Sequence, residues 1–396
     1  MLGSAPSIAP DPSPAPATHD ALRPPRAPRL ASLDVFRGIT SAAMLLVNNP
    51  GSWSSVYPPL QHAEWNGWTP TDLIFPFFLF IVGVAMTFSL GHWLDRGTAR
   101  ATVFRKAVTR AALIFALGLL LQGLPYYQLA HIRLLGVLQR IALSYLLAAA
   151  IVLSTELRGQ IVALVGLLLG YWTLMTVVPV PGIGRAVLEP NMNLANWLDL
   201  HLIGMNHLNQ DTRTWDPEGV LSTMGATATV VCGVLAGRWI RSQRPGLVTS
   251  LGLTVAGGLA VVVGLIWNQA FPINKSVWTS SFVLLSGGVA ALLLALIYWL
   301  VDVKGWRTGW TTPFLVFGTN SIAAYWLSSA LAIVLDTIVV ADPVAEHRVL
   351  KDYLYETFFA SWLELTNASL LYAISYVLLW LGLLTILYRR RVFLRI

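Results

Sequence analysis

A polar, turn-rich stretch, NNPGSWSSVYPPLQHAEWNG, joins two hydrophobic runs and contains one histidine, His62. An imidazole exchanges protons near neutral pH, and a neighbouring carboxylate can orient the ring and raise its basicity. Trp65 and Asn66 follow His62 closely, and Asp72 lies at the beginning of the next hydrophobic run. This pattern is compatible with a general base beside a substrate pocket. A lone loop histidine is more often simply solvated, and Thr69 or Thr71 together with Asp72 can form the N-terminal cap of the next helix.

Other polar side chains lie inside hydrophobic runs. Gln139 and Arg140 lie within RLLGVLQRIALSY, and a charge inside a membrane segment is costly enough to suggest a function. Arg37 follows Asp34 by three residues in the first run, so a helix would place both on one face. The pair can anchor the helix end. Alternatively, Arg37 can bind an anionic ligand, since guanidinium suits phosphate geometry.

Two further pairs of polar residues precede later hydrophobic runs. Asp216 and Glu218 belong to DPEGVLSTMGA, where carboxylates either complement a helix N-terminus or serve a site. Asn274 and Lys275 belong to FPINKSVWTSSF. A cation at the beginning of a helix opposes the helix dipole, so capping explains Lys275 poorly.

The hydropathy pattern predicts an all-α fold, a polytopic transmembrane helix bundle of about ten spans. The chain is 56% hydrophobic and only 11% charged, whereas soluble domains carry about 25% charged residues. Each apolar stretch approaches the roughly 20 residues that cross a bilayer as a helix. The predicted spans are 33–50, 71–91, 107–124, 134–153, 160–178, 220–238, 247–268, 278–301, 312–335 and 367–388.

The basic residues are concentrated on one side of the predicted bundle, in segments such as 96–110, 238–244 and 389–395. The positive-inside rule therefore predicts that both termini are cytoplasmic. His62 would then face the opposite compartment, the periplasm of a two-membrane bacterium. The predicted location is the bacterial inner (plasma) membrane.

Composition also indicates what the N-terminal segment forms and which kinds of site the chain lacks. Residues 1–29 contain eight prolines and six alanines, which predicts a disordered tail before a transmembrane domain at 30–396. The single cysteine, Cys232, excludes an intrachain disulfide and a multi-cysteine metal site. The motifs predict chemistry without a metal, and membrane topology accounts for the basic residues better than a nucleic-acid partner does.

Seven ordered motifs resemble the heparan-α-glucosaminide N-acetyltransferase family and its bacterial relatives, which are transmembrane acyltransferases. They are RLASLDVFRG, the VNN end of the first span, HAEWNGWTPTDLIFPFFLFIVG, RLLGVLQRIALSY, DPEGVLSTMGA, FPINKSVWTSSF and GTNSIAAY. The resemblance runs from about residue 29 to 390. It implies an enzyme that takes acetyl from cytosolic acetyl-CoA and delivers it to a glucosamine-type amine across the membrane.

The resemblance also implies roles for individual residues. The family's active-site histidine falls in the HAxWNG motif, here His62, and its catalytic asparagine ends the VN helix, here Asn48. His62 would remove a proton from the acceptor amine or carry the acetyl group, and Asn48 would donate to the developing oxyanion. The residues expected to bind the CoA donor are Arg37, Gln139, Arg140, Asn274 and Lys275. The residues expected to bind the acceptor are Trp65, Asn66, Asp72, Asp216 and Glu218.

Two alternatives remain open at the level of sequence. The first keeps the enzyme but acylates a hydroxyl group of an envelope glycan. The second is a transporter of a small sugar or anion that carries out no chemistry. The expected partners of the enzyme are a CoA thioester, an amino sugar or glycan, and membrane lipid, and the sequence leaves a homodimer open.

Overall fold

The computed structural model describes residues 30–242, 244–307, 309–340 and 348–393. The predicted tail at 1–29 lies outside the described residues. From Ala31 onward the described chain forms one compact, helical unit. A short antiparallel pair joins β1 (Val339–Val340) to β2 (Arg348–Val349).

The helices follow the hydrophobic runs of the sequence in chain order. They are α1 (Ala31–Asn48), α2 (Ile74–Asp95), α3 (Arg100–Gly123), α4 (Val137–Ser154), α5 (Leu157–Val177), α6 (Leu194–Ile203), α7 (Thr223–Arg241), α8 (Gly246–Trp267), α9 (Ser280–Tyr298), α10 (Thr311–Thr319), α11 (Ser321–Thr337), α12 (Leu350–Tyr355) and α13 (Leu365–Arg389). A 3₁₀ turn, Pro70–Leu73, leads into α2, and π turns follow α9 (Trp299–Val303) and α12 (Glu356–Ala360).

Within the described residues, seven helices are long and apolar enough to cross a membrane, and the bent pair α10–α11 raises the number to eight. The seven are α2, α4, α5, α7, α8, α9 and α13. The predicted spans 33–50 and 107–124 are also helical, as α1 and α3, but neither helix is among the seven. The predicted polytopic helical membrane bundle is confirmed, whereas the count of ten exceeds what length and composition support.

The predicted single span 312–335 is wrong in one respect, because it is broken. Helices α10 and α11 meet at Asn320 with a bend of 80°. Asn320 has φ −127° and ψ 34°, and its side-chain Nδ2 donates to the carbonyl oxygen of Val392 at 3.2 Å. Asn320 and Ser321, at this break, are both buried in the protein.

Helices α2 and α7 pack closely because glycines lie where their backbones meet. A Cβ atom on Gly83 would lie 1.9 Å from the carbonyl oxygen of Val230, and one on Gly233 would lie 2.0 Å from that of Phe80. Small residues permit this approach between membrane helices. The contact holds the beginnings of α2 and α7 at the same end of the bundle.

The loops that precede α2, α4, α7 and α9 contact one another at that end, which we call the site end. Gly67 N–H donates to Ile273 O at 2.8 Å, and Leu134 N–H donates to His207 O at 3.0 Å. The opposite end, the basic end, carries the cationic loops α2–α3 and α7–α8 and the end of α13. Long polar loops therefore gather at one end of the bundle and basic loops at the other.

Candidate active site

His62 and Asp72 form a hydrogen-bonded pair at the site end. The Nδ1 atom of His62 lies 2.7 Å from Asp72 Oδ1, and the His62 side chain is 48% exposed. Asp72 is buried, and its Oδ2 accepts the N–H groups of Ala63 at 3.1 Å and Thr69 at 2.9 Å. Thr69 and Asp72 also complete a capping box at the 3₁₀ turn before α2. Asp72 therefore has both roles that the sequence left open, a helix cap and an orienting carboxylate.

The orientation of the imidazole determines which nitrogen can react. A ring that donates its Nδ1 proton to a carboxylate leaves the Nε2 lone pair as the acceptor. The His62 side chain is half-exposed at the site end. The pair is thus arranged as a carboxylate-oriented base.

Lys275 completes this group. Its Nζ lies 3.0 Å from His62 Nδ1, 3.2 Å from Nε2 and 3.5 Å from Asp72 Oδ1. Burial lowers the pKa of Lys275 below its usual range, and the carboxylates of Asp72 and Glu218 only partly offset this effect. The structure thus places Lys275 beside His62 itself, and its predicted role in binding CoA stays a prediction.

Three of the predicted binding residues hold loops together. Trp65 Nε1 donates to Leu188 O at 3.1 Å, and the ring meets Trp215 edge-on at 5.4 Å between centroids. Asn274 Nδ2 donates to Asn66 Oδ1 at 3.2 Å. These contacts fix the shape of the loop that carries His62. Ligand contacts of Trp65, Asn66 and Asn274 stay predictions.

Arg133 is a site residue that the sequence reasoning missed. Its Nε and Nη2 donate to the two carboxylate oxygens of Asp216 at 2.8 and 2.6 Å, and Nη2 also donates to Glu218 Oε2. Helix α7 begins only at Thr223, so these carboxylates pair with Arg133 rather than occupy the first turn of the helix. Despite burial, the two carboxylates raise the pKa of Arg133 above its usual range.

Arg140 and Gln139 lie next to this cluster, both 1% exposed. Arg140 Nη2 donates to Gly219 O at 3.2 Å and to Ser222 Oγ, and the guanidinium lies 5.0 Å from the ring centroid of Trp278. Within the described part of the chain, Arg140 Nε and Nη1 and Gln139 Nε2 have no hydrogen-bond partner. Buried donors are usually paired, so these two residues have capacity for a polar ligand.

Asp199 is a second buried carboxyl group that the sequence did not single out. It lies on α6, and its Oδ1 accepts Val220 N–H at 2.8 Å. A Cβ atom on Gly219 would lie 2.1 Å from Asp199 Oδ2, so a side chain at position 219 would displace this carboxyl group. Burial, together with nearby Asp216, raises the pKa of Asp199 to about 7.

We expect Asp199→Asn to change how stability depends on pH. The folded-state pKa of Asp199, about 7, exceeds the value of about 3.9 in unfolded chains. Its contribution to the free energy of unfolding is therefore fully present below about pH 4 and is lost as the pH rises through 7, by about 1.4 kcal/mol per pH unit. Unfolding curves at pH 4 to 7 should show wild type losing this amount relative to Asp199→Asn.

Exposed Asp211, in the loop that follows α6, provides the matched control for that measurement. Asp211→Asn should leave the pH dependence of wild type unchanged. A constant difference between wild type and Asp199→Asn across this pH range would contradict the prediction.

Asn48 ends α1 in an exposed position. Among the described residues its side chain has no hydrogen-bond partner. The next residue, Asn49, is buried, and its Nδ2 donates to Leu45 O at 2.8 Å. The structure therefore brings Asn48 to the site end, but its predicted catalytic role stays a prediction.

Arg37 lies away from His62, beside a cavity of about 290 Å³ between α1, α2, α3, α4 and the α10–α11 break. Its Nη1 donates to Asp34 Oδ1 at 3.1 Å and to Gly318 O at 3.4 Å. Arg110 also lines the cavity, with its guanidinium 5.2 Å from the ring centroid of Tyr145. The predicted Asp34–Arg37 ion pair is present, and Arg110 is a second cation at this cavity that the sequence analysis did not select.

The fold and the site define a class of protein: a polytopic helical membrane protein with a carboxylate-oriented histidine at the end of its bundle. The family model described as "Heparan-alpha-glucosaminide N-acetyltransferase, catalytic" matches residues 29–217. Over these residues the chain is therefore similar to the heparan-α-glucosaminide N-acetyltransferase family.

Two curated proteins are also similar to the chain. The chain is 30% identical over 351 residues to "Heparan-alpha-glucosaminide N-acetyltransferase" from Mus musculus and 31% identical over 352 residues to the protein of that name from Homo sapiens. Each alignment covers 75% of this chain but 53% and 52% of the two relatives. The chain thus spans about half the length of the curated relatives it matches.

Proposed function

We propose that this protein is a membrane acetyltransferase that moves acetyl from cytoplasmic acetyl-CoA to the amine of an amino sugar on the extracytoplasmic side. The observation that carries the proposal is the His62–Asp72 pair, 2.7 Å apart, in a loop open to the site end. The names of the related proteins supply the acceptor class, a glucosamine-type amine.

His62 acts in this proposal as a general base. Its Nε2 takes a proton from the acceptor amine while the amine nitrogen attacks the thioester carbonyl carbon. The tetrahedral intermediate then collapses, the carbon–sulfur bond breaks and CoA leaves as the thiolate or thiol. Positioned bases contribute about 100- to 10,000-fold to such reactions.

The donor would approach through the bundle from the basic end. The cavity beside Arg37 and Arg110 suits an anionic group, because guanidinium pairs well with phosphate. A smaller cavity, lined by Met44, Val137 and Tyr325, lies next to it toward the site end. The two cavities share Phe78, Leu138, Ile141, Ser321 and Ile322. The shared walls would line a narrow apolar path for the pantetheine arm.

An assay on purified protein in nanodiscs tests the proposal. Acetyl-CoA and glucosamine should give free CoA and N-acetylglucosamine in equal amounts. An ester product, which hydroxylamine cleaves and which forms on a glycan without an amine, would support O-acylation instead. Sugar uptake by proteoliposomes without release of CoA would support the transporter.

Cysteine labelling tests the proposed orientation. Cys232, in α7, is first replaced by alanine, and single cysteines are then introduced as Arg185→Cys near the site end and Ala99→Cys near the basic end. A membrane-impermeant maleimide should label position 185 from outside and position 99 only after permeabilisation. The reverse pattern would overturn the orientation and with it the extracytoplasmic acceptor.

A further inference from the structure

The Nζ atom of Lys275 lies within hydrogen-bond distance of both ring nitrogens of His62. This position suggests a role at the histidine rather than in binding the CoA donor. We propose that Lys275 is a positioning residue whose ammonium, beside the imidazole of His62, opposes a second positive charge on that ring, so that Nε2 keeps its lone pair for the acceptor amine. The catalytic meaning of this role rests on the proposed function, whereas the protonation of His62 can be measured without any turnover.

Backbone and side-chain contacts fix the position of Lys275. Gly67 N–H donates to Ile273 O at 2.8 Å, and Asn274 Nδ2 donates to Asn66 Oδ1 at 3.2 Å. The chain segment that carries Lys275 is therefore joined directly to the loop that carries His62.

Hydrogen bonds also fix the turn between Asn274 and Thr279, which contains Lys275. Asn274 N–H donates to Thr279 Oγ1 at 3.0 Å, and Val277 N–H donates to Asn274 Oδ1 at 3.1 Å. Lys275 is itself only 23% exposed. Its ammonium group is thus confined near the imidazole rather than free to move into solvent.

The charges around the pair favour a neutral ring. Asp72 faces both groups from the turn before α2, Glu218 faces Lys275 from the segment before α7, and Arg140 faces it from α4. The positive charge of the Lys275 ammonium balances the negative charge of the Asp72 carboxylate beside it. An imidazolium would add a second cation about 3 Å from the Lys275 ammonium, and adjacent like charges disfavour the charged form.

The ammonium of Lys275 faces both ring nitrogens of His62 and stays beside Asp72, with Nζ 3.5 Å from Oδ1. The Nε2 lone pair of His62, 3.2 Å from Nζ, accepts a hydrogen bond from the ammonium. An incoming amine takes over this lone pair, while the ammonium remains beside Asp72.

A titration of His62 by NMR tests this proposal. Protein with isotope-labelled histidine in micelles is titrated, and the His62 ring signals are identified by their loss in His62→Gln. In Lys275→Met the titration midpoint of His62 should rise by about 1 pH unit or more, the size of shift that a removed neighbouring charge produces. In Lys275→Arg, which keeps the cation, the midpoint should stay close to that of wild type.

Lys351→Met is the matched control. Lys351 is also a partly buried lysine beside a carboxylate, with Nζ 3.7 Å from Asp336 Oδ1. This variant should leave the His62 midpoint unchanged. If Lys275→Met does not fold, Lys275→Gln removes the same charge and should give the same rise.

The rate of acetyl transfer provides the second readout. The acidic limb of kcat/KM should move to higher pH in Lys275→Met by the same amount as the NMR midpoint. An unchanged His62 midpoint in a folded, charge-removed variant overturns the role of Lys275, even if activity is lost. A raised midpoint in a protein whose wild type transfers no acetyl group supports this role and overturns the proposed function instead.

Discussion

His62→Ala is expected to lower acetyl transfer by at least about 100-fold, the low end of what a positioned general base contributes. CoA binding and thermal stability should stay close to wild type, because the His62 side chain is half-exposed and the cavity beside Arg37 lies elsewhere. The residual rate should also lose the acidic limb of the wild-type pH profile, because no imidazole remains to be protonated. Single-turnover kinetics with labelled acetyl-CoA, together with CoA binding by calorimetry, measure both effects.

His131→Ala is the control for that experiment. His131 is exposed in the loop between α3 and α4, at the same end of the bundle. Its removal should leave transfer unchanged. A His62→Ala protein that acetylates within a few-fold of wild type would remove this histidine from the mechanism.

Arg133→Ala is expected to destabilise the fold by about 3–5 kcal/mol, because it leaves two buried carboxylates without their cation. Asp216 and Glu218 are both held by Arg133, and the Arg133 side chain is only 17% exposed. Without the guanidinium, burial would raise the pKa of both carboxyl groups above their unfolded values. The loss of stability should therefore be largest near neutral pH and should shrink as the pH falls toward 4.

Chemical unfolding in one detergent at pH 7 and pH 4.5 tests this prediction. Arg185→Ala, at an exposed arginine of the neighbouring loop, should cost little at either pH. A loss of stability that is the same at both pH values would assign the effect of Arg133→Ala to lost packing rather than to uncompensated charge.

The helices were predictable from sequence because membrane length and apolarity are local properties. The α10–α11 break was not, because Asn320 bonds to a carbonyl 72 residues further along the chain. No hydropathy window contains both partners. The predicted span 312–335 therefore has the right position and the wrong shape.

The same distinction applies to the site. The His62–Asp72 pair and the capping box lie within ten residues of one another, so a short motif contains all of their chemistry. Lys275 meets His62 across 213 residues, and Arg133 meets Asp216 across 83. From the sequence, Lys275 was expected to bind the CoA donor. The sequence reveals an unusual cation at this position, but it does not reveal that the fold places His62 beside it.

Asp72 links the 3₁₀ turn before α2 to the imidazole of His62, and hydrogen exchange can measure this link. One carboxylate receives the amide protons of Ala63 and Thr69 as well as His62 Nδ1. Fraying of the first turn before α2 would therefore release the imidazole at the same moment. Hydrogen–deuterium exchange at the Ala63 and Thr69 amides should then report the fraction of molecules in which Asp72 holds the imidazole of His62. A detergent or lipid that speeds this exchange should slow turnover in proportion, without any change at the histidine itself.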